Sequence, residues 1–466
     1  MLFTEMVRLP RLSPLLAAFA LLAGRCAAFE YNTFDGPGFP SCHNVVEVHD
    51  ATSVDDIASL VRAAAAAGRQ VRAAGKGHQW YDTHCSDDPT VLVRTEAVNA
   101  IYDFDLAAGS VTLGPGVTFF QLADYLHERG ASLGYALVNW NISLGGSIAM
   151  GAHRSSLREP SMVAAGALAL DIVDGTGALR RVERGTGGDD WLAASTSLGL
   201  LGVIAAVKMR IYPDAQVYAM QATLDEEAVL GGDIYGLIAP YATANLWWWP
   251  NQRKFHHRYY DEVPAGTSTQ RGFQNTFSVT AAEAAAARAL LDAGKLLPAS
   301  NALAEAVFFH LWSAPNFRDL ATGRVVDAWP VYGAHHDVLI GGLYPDQQPE
   351  WELGLHGLTL ELAVPVTQAN AVLRRVRALF DAEAARGRVM TSTYRSGINI
   401  KFGSPYFDLL GQATYNTSDG ADWSKGVMMF DFPSFRPTYG DHKRFNEEFC
   451  AYSRLFRAHS TGRGLC

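Results

Sequence analysis

Two glycine-rich stretches, about 65 residues apart, constrain this chain more than any other feature. The first follows a short predicted strand at 70–73 and reads Ala74-Gly75-Lys76-Gly77-His78. The second runs from Ser143 to His153. Because glycine has no Cβ, its backbone N–H group can approach a pyrophosphate closely. The two stretches therefore predict a site for a phosphate-bearing cofactor.

Several common cofactor and catalytic motifs are absent from the sequence. Neither stretch places Gly-Lys-Ser/Thr after four free positions, and neither has Gly-x-Gly-x-x-Gly at a strand–helix junction. A P-loop NTPase and a nicotinamide dehydrogenase are therefore disfavoured. A serine hydrolase also has no support, because no Gly-x-Ser-x-Gly elbow is present. The formal net charge of -9 and the lack of a basic patch argue against nucleic-acid and anionic-membrane partners.

Helix and strand patterns alternate around the two stretches, which predicts a mixed α/β domain. Helices are expected over 52–68, capped by Thr52 or Ser53, and from Thr118 to about Arg129. Strands are expected at 70–73, 91–93, 110–113, 167–173, 179–183 and 198–211, with Pro213 as a boundary. Beyond it, an aromatic cluster at Trp247–Trp249 and a helix around 367–385 indicate a second domain.

The run Val71–His78, followed by Ser143-Leu144-Gly145-Gly146, resembles the FAD-binding domain of the vanillyl-alcohol-oxidase superfamily over residues 40–213. The second half resembles the aldonolactone oxidase branch, through Trp248-Trp249-Pro250, Glu361–Pro365 and Ile398–Phe402. That branch contains gulonolactone, arabinonolactone and gluconolactone oxidases. The resemblance implies an α+β fold: a two-part PCMH-type FAD-binding domain over 29–213 and a substrate-binding cap domain over 214–466.

The resemblance also implies how FAD is held. The family joins the flavin covalently to the histidine after the first glycine stretch, which is His78 here. The stretch 138–153 holds no cysteine for a second link, so we expect a single covalent bond. Backbone groups of both stretches are expected to cradle the pyrophosphate, with Ile204 near the adenine. The expected cofactor-binding residues are Ala74, Gly75, Lys76, Gly77, His78, Gln79, Ser143, Leu144, Gly145, Gly146, Ser147 and Ile204.

The strand Ile398–Phe402 alternates apolar and polar residues, which places Asn399 and Lys401 on one face. In the family, a glutamate and an arginine at these positions contact the substrate beside the flavin. Asparagine cannot act as a general base at ordinary pH, so the proton acceptor is unassigned. Lys401 keeps a positive charge but lacks the bidentate fork of arginine. A solvated strand face is the alternative interpretation.

A second departure from the family concerns oxygen. A small residue before the second glycine loop leaves O2 a path to the flavin in the family, and an ungapped alignment puts Leu137 there. A bulky side chain would slow reaction with O2 and favour another electron acceptor.

The N-terminus has the pattern of a signal peptide. Arg8 and Arg11 precede the apolar run Leu15–Ala23, which is too short to span a bilayer, and 1–28 is the expected signal segment. A secreted, soluble protein is therefore expected.

The four cysteines that remain after cleavage of the signal segment allow three pairings. Proximity favours Cys42–Cys85 and Cys450–Cys466, with one pair left free as the alternative, and Asn416 is a glycosylation candidate.

Other clusters have less specific patterns. His256-His257 and His335-His336-Asp337 lack further ligands at metal-site spacing, so no metal is expected. Trp247–Trp249 fits either stacking on a sugar ring or core packing.

Three functions follow from these observations. The leading expectation is a secreted enzyme that oxidises an alcohol carbon of a sugar lactone or polyol with FAD, O2 being the acceptor. The replaced catalytic pair motivates two alternatives: a flavoenzyme for phenolic or other non-sugar compounds, and a flavin-binding protein with little turnover.

Overall fold

The computed structural model describes residues 44–77, 86–134, 142–160, 162–263, 273–275, 296–297, 299–315, 317–319, 325–326, 328–338, 357–387, 397–411 and 420–435, with 285, 286, 289, 290 and 293. Within these ranges the chain mixes helices with four sheets and one short strand pair. None of the helices described combines the length and the apolar character that crossing a bilayer requires.

A small parallel sheet carries the first glycine stretch. Its strands β1 (Val45–Asp50), β3 (Thr90–Arg94) and β2 (Gln70–Ala74) lie in that order, and α1 (Val54–Ala66) packs beside them. The Ser53 side chain accepts a hydrogen bond from the Asp56 backbone at 3.1 Å, and Gly68 adopts φ +64 after the helix. The predicted helix over 52–68 and the strands that follow it are confirmed.

A five-stranded antiparallel sheet forms the second layer of the N-terminal half. Its order is β4 (Ile101–Asp105), β5 (Ser110–Leu113), β10 (Val203–Arg210), β8 (Ala167–Val173) and β9 (Leu179–Glu183). Helices α2 (Phe119–His127), α3 (Leu144–Ala149) and α4 (Gly188–Ala194) bury apolar residues in its core. The short strands β6 (Ala131–Ser132) and β11 (Tyr212–Pro213) pair nearby.

A larger sheet organises the second half. Its order is β18 (Val331–Ala334), β12 (Gln216–Asp225), β14 (Lys254–Glu262), β13 (Thr243–Trp249), β20 (Ile398–Ser404), β21 (Val427–Phe435) and β19 (Gly357–Pro365). Helices α5 (Glu226–Gly231), α6 (Ile234–Ile238) and α9 (Ala369–Ala385) cover one face, which buries Ile398, Ile400 and Phe402. The predicted helix around 367–385 and the alternation of strand β20 are confirmed.

The other elements lie around this sheet. Helix α7 (Ala299–Leu311) packs against Trp247 and Trp249 of β13 on the opposite face, and α8 (His335–Val338) follows β18. Strands β15 (Phe273–Asn275), β16 (Phe317–Asp319) and β17 (Val325–Val326) form a separate small sheet. Two single turns of 3-10 helix span Val163–Gly166 and Val366–Gln368.

The N-terminal half is joined to the large sheet directly after the second glycine stretch. Strand β7 (Ser156–Pro160) runs parallel to β20. The Ser155 hydroxyl donates to the Ala244 carbonyl at 2.5 Å and accepts from the Phe402 amide at 3.2 Å. The Ser156 hydroxyl donates to the Ala242 carbonyl at 2.6 Å. These buried bonds hold strands β13 and β20 against the segment that ends the second glycine stretch.

One local expectation was wrong, and two further segments are helical. The predicted strand over 198–211 begins only at Val203, because the preceding residues turn, with positive φ at Leu198, Gly199 and Gly202. His335, His336 and Asp337 lie on helix α8 rather than on a strand. Part of the second glycine stretch is helical, since α3 spans Leu144–Ala149.

Candidate functional site

The two glycine stretches meet in the folded chain. A Cβ built on Gly75 would lie 1.8 Å from the Ser143 Oγ and 2.7 Å from its Cβ. Such distances are impossible for real side chains, so this approach requires glycine at 75. Ser143 is buried and is the residue before helix α3. The structure thus brings together the two segments on which the cofactor prediction rests.

The start of helix α3 is packed against a third segment, which the sequence analysis missed. The amides of Leu144 and Gly145 donate to the carbonyls of Val117 and Pro115 at 2.8 and 2.9 Å. A Cβ on Gly145 would lie 2.7 Å from the Pro115 Cβ. The signal for this segment was present in the sequence, as Gly114-Pro115-Gly116 just before the cap residue Thr118.

Gly146 differs from Gly145 in facing open space. It is exposed, and a Cβ there would meet only the Ser143 Oγ, at 3.3 Å. Ser147 lies buried on the other side of the turn, where its hydroxyl donates to the Ser143 carbonyl at 2.8 Å. The first turn of α3 therefore presents one exposed glycine edge, with Gly75 directly beside Ser143.

The other predicted cofactor residues surround this point or lie outside the described ranges. Ala74 is buried at the end of β2, and its carbonyl accepts from the Thr95 amide at 2.9 Å. Lys76 forms an ion pair with Glu96 at 3.1 Å, and Gly77 adopts φ +70. Ile204 is buried on β10 in the same core as Leu144. His78, Gln79 and Leu137 lie outside the described residues.

A phosphate-bearing flavin cofactor fits this arrangement. Gly75 lets the first segment approach Ser143 without a side chain of its own, and Gly146 leaves open space on the other side of Ser143. The residues that would hold FAD are those flanking the contact, from Ala74 to Gly77 and from Ser143 to Ser147.

Two side-chain rows on the large sheet face away from helix α9. In an antiparallel sheet, residues directly opposite one another project to the same face. Asn399 pairs with Asp431, and Asp431 pairs with Glu361. These three residues are termed the carboxylate row. The amide oxygen of Asn399 is buried and has no hydrogen-bond partner.

A second row runs parallel to the first and is displaced from it by two residues along the strands. Arg258 pairs with Asn245, and Lys401 lies two residues beyond Asn399 on the same face. These three residues are termed the cation row. Lys401 is half-buried and forms no ion pair within the described part of the chain.

The Arg258 guanidinium of the cation row is enclosed by aromatic rings. It lies 4.7, 5.3 and 4.9 Å from the ring centroids of Trp247, Trp312 and Trp329. Its Nε donates to the Gln221 side chain at 2.8 Å, whereas its Nη2 has no partner. Burial lowers the pKa of Arg258. The contacts with the rings stabilise the guanidinium, which pairs with no carboxylate among the described residues.

His153, at the end of the second glycine stretch, reaches the carboxylate row. Its Nε2 contacts Glu361 Oε1, and both side chains are largely buried, with 6% and 18% exposed. The sequence pattern marks His153 only as the end of the glycine stretch, Glu361 only through the family resemblance, and Asp431 not at all. No local motif marks this set, because it is assembled by strand register.

The tryptophan cluster packs in the interior. Trp248 and Trp249 are fully buried, and Trp248 stacks on Phe255 with ring centroids 5.4 Å apart. Trp249 Nε1 donates to His256 Nδ1 at 3.2 Å. Burial, together with the charges of Arg258 and His310, lowers the pKa of His256 to about 3. Core packing, rather than an open sugar-stacking surface, is the arrangement found.

Further predicted features lie outside the described residues. These are the candidate disulfide residues Cys42, Cys85, Cys450 and Cys466, and the glycosylation candidate Asn416. Among the residues that are described, no group of histidine, cysteine and acidic side chains is arranged to hold a metal ion.

Comparison with known proteins identifies the N-terminal half. A family model described as an FAD binding domain matches residues 47–183, which include the first glycine stretch and the contact with Ser143. The chain also shares its fold with cholesterol oxidase from B. sterolicum, with a TM-score of 0.69 and 16% identity. That likeness covers 90% of this chain and 82% of the other. The predicted α+β class with a PCMH-type FAD-binding fold is confirmed.

Curated relatives are aldonolactone enzymes. L-Gulonolactone oxidase 2 of Arabidopsis thaliana is 25% identical over 367 residues, which are 70% of this chain and 59% of that protein. L-Gulono-1,4-lactone dehydrogenase of Mycobacterium tuberculosis is 30% identical over 204 residues, which are 42% of this chain and 46% of that protein. The chain spans about 60% of the length of the gulonolactone oxidases it matches.

The fold and the matched region define a flavoprotein with an FAD-binding domain. Over a larger part of the chain it is similar to aldonolactone oxidases, in agreement with the resemblance in the sequence.

Proposed function

We propose that this protein is an FAD-dependent oxidoreductase that oxidises a CH–OH group of a sugar lactone, a polyol or a related hydroxylated compound. One observation carries the proposal. The polar rows of the large sheet are tied, through His153, Ser155 and Ser156, to the end of the FAD-binding glycine stretch. A hydroxylated molecule bound between the polar rows and the end of the second glycine stretch would contact both halves of the chain. The similarity to aldonolactone oxidases and a related dehydrogenase supports the same substrate class.

The chain's own residues would bind and orient the substrate. When bound, FAD supplies a two-electron acceptor that takes a hydride from carbon. Asn399 presents an amide that can both donate and accept hydrogen bonds with substrate hydroxyls. Lys401 supplies a positive charge that stabilises negative charge developing near it. The tight packing around Trp247 and Arg258 excludes water from one end of the two rows.

Anaerobic bleaching of the flavin tests this function. The purified holoprotein is mixed without air with aldonolactones, polyols, sugar acids and phenols, and the visible flavin absorbance is followed. Bleaching by a lactone or polyol is the expected result. Bleaching by phenols alone would favour the alternative, a flavoenzyme for non-sugar compounds, which the replacement of the family glutamate by Asn399 motivates. Bleaching by dithionite and by no organic compound would indicate a flavin-binding protein without turnover.

A single covalent bond between His78 and FAD is part of the proposal. Its support is the family resemblance of the first glycine stretch together with the FAD-binding match. Acid precipitation should leave the flavin in the protein pellet, and His78→Ala should release it into the supernatant. A colourless wild-type pellet would contradict the link.

O2 as electron acceptor, with formation of H2O2, and secretion after cleavage of residues 1–28 complete the proposal. The relatives named above include both an oxidase and a dehydrogenase, so the acceptor needs its own test. Readmitting air to the bleached protein should restore the flavin absorbance and yield peroxide. Slow recovery that Leu137→Gly accelerates would instead indicate another acceptor.

A further inference from the structure

The proposed oxidation needs a group that accepts the hydroxyl proton, and the strand position where the family carries one holds an amide here. Asn399 cannot take a proton at ordinary pH. A different side chain must therefore do so if the proposed function holds, and the residues nearest to Asn399 are the first to consider.

The carboxylate row supplies two such groups. Asp431 is directly opposite Asn399 on β21, and Glu361 is directly opposite Asp431 on β19. Neighbouring strands lie about 4.8 Å apart, so Glu361 and Asn399 are separated by two strand spacings, about 10 Å, on one face. Both carboxylates are therefore within the span of a sugar-sized molecule that touches Asn399.

Glu361 is distinguished from Asp431 by its contact with the FAD-binding half. Its Oε1 contacts the Nε2 of His153, which ends the second glycine stretch. The same stretch begins at Ser143, in contact with Gly75. Glu361 thus lies where the second glycine stretch contacts the large sheet.

Three charged or basic side chains share the surroundings of Glu361. Asp431 faces it from β21, His153 from the glycine stretch, and Lys401 lies on the same face of β20. Two carboxylates directly opposite each other repel, and the positive charge of Lys401 on the same face offsets part of that repulsion.

We propose that Glu361 is the proton acceptor of the oxidation and that His153 positions its carboxylate. This inference rests on the proposed function. As the C–H bond breaks, its hydrogen and electron pair pass to bound FAD, which is reduced by two electrons. The substrate O–H bond breaks and its proton passes to the Glu361 carboxylate. The carbon–oxygen bond becomes a carbonyl, so the substrate is oxidised by two electrons.

Anaerobic stopped-flow reduction of the holoenzyme flavin, using the substrate found by bleaching, tests the role of Glu361. Glu361→Gln keeps the shape of the side chain but cannot accept a proton. We expect the rate of flavin reduction to fall by about 100-fold or more, the usual contribution of a general base. The matched variant Asp431→Asn removes the neighbouring carboxylate and should change the rate by less than about 10-fold.

The pH profile separates a proton acceptor from a positioning residue. The wild-type rate should fall as the pH is lowered, because a protonated Glu361 cannot accept a second proton. Glu361→Gln should lose this acidic limb, while Glu361→Asp should keep it. His153→Gln should move the limb without removing it. A Glu361→Gln enzyme that is slow but retains the wild-type limb would overturn the proposal.

Equilibrium binding provides a readout that does not depend on turnover. A substrate analogue without oxygen at the reacting carbon cannot be oxidised, and its binding is followed by the change in flavin absorbance. Glu361→Gln should bind it with an affinity within about threefold of wild type, since the lost proton transfer contributes nothing to this complex. Loss of binding would show a structural role and would overturn the proposal.

The outcomes distinguish this inference from the proposed function. If the wild-type flavin is bleached and Glu361→Gln reacts equally fast, the function stands and Glu361 is not the acceptor. If Asp431→Asn is the slow variant, the acceptor is Asp431 and the proposal is wrong. If no hydroxylated compound bleaches the wild-type flavin, both proposals fail. Should Glu361→Gln not incorporate FAD, Glu361→Asp decides, because a catalytic carboxylate predicts a slowed enzyme with its acidic limb intact.

Discussion

The two halves of the molecule build their parts of the site in different ways. In the FAD-binding half, backbone packing makes the site: Gly75 touches Ser143, and Gly145 touches Pro115 at distances that exclude any side chain. In the second half, side chains make it, through strand register that aligns Asn399 with Asp431 and Glu361. The first kind of site tolerates no added atom, whereas the second tolerates exchange of residues. The glycines accordingly keep the pattern of the resemblance, whereas Asn399 and Lys401 depart from it.

The largest expected effect breaks the backbone site. Gly75→Ala places a Cβ on the Ser143 side chain, so the two glycine stretches must separate. We expect loss of bound FAD, measured as the flavin-to-protein absorbance ratio. The double variant Gly75→Ala/Ser143→Gly removes both contacted atoms and should restore part of the flavin. Gly175→Ala, which meets no atom within 4 Å, should bind FAD normally. Normal FAD content in Gly75→Ala would refute the backbone account.

A smaller effect is expected on the side-chain site. Lys401→Met removes a positive charge from the sheet face, and we expect flavin reduction to slow by about 100-fold, comparable with loss of one electrostatic donor to a transition state. Lys401→Arg should retain most of the rate, because the charge remains. Lys254→Met serves as the control, since Lys254 lies on the same sheet but pairs with Asp225 at its exposed end. Equal rates in Lys401→Met and wild type would favour a solvated strand face.

The smallest effect concerns a contact that joins the two halves. His336 on α8 lies between Asp124 of α2, at 2.5 Å, and Asp337, at 2.8 Å, and stacks on His127 with ring centroids 4.7 Å apart. Burial lowers the pKa of His336, but hydrogen bonds to both carboxylates outweigh it and raise the pKa to about 9.

This contact should make the stability of the protein depend on pH. The folded pKa exceeds the unfolded value of about 6.5, so the stabilisation is complete below pH 6.5 and is lost as the pH rises through 9. His336→Gln should reduce the free energy of unfolding by about 1–2 kcal/mol at pH 6 and by little above pH 9.5. Chemical denaturation at both pH values measures this. A pH-independent difference would contradict the ionic account.

Local sequence patterns correctly predicted the elements whose signals lie within a few residues. Ser53 caps α1 and Gly68 ends it, and the alternation of Ile398, Ile400 and Phe402 buries one face of β20. The start of the strand expected over 198–211 was wrong, because an apolar run does not show that Leu198 and Gly199 adopt positive φ in a turn.

The sequence by itself determined the FAD-binding half of this protein. Its glycines are required where backbone segments touch. They lie close together in the sequence, so a local motif predicts them. Only the tertiary structure decided the set formed by His153, Glu361, Asp431 and Asn399. These residues are spread from 153 to 431, and they meet because hydrogen-bond register aligns β19, β21 and β20. Register depends on pairing between distant strands and on the packing of one buried face, which no local pattern specifies.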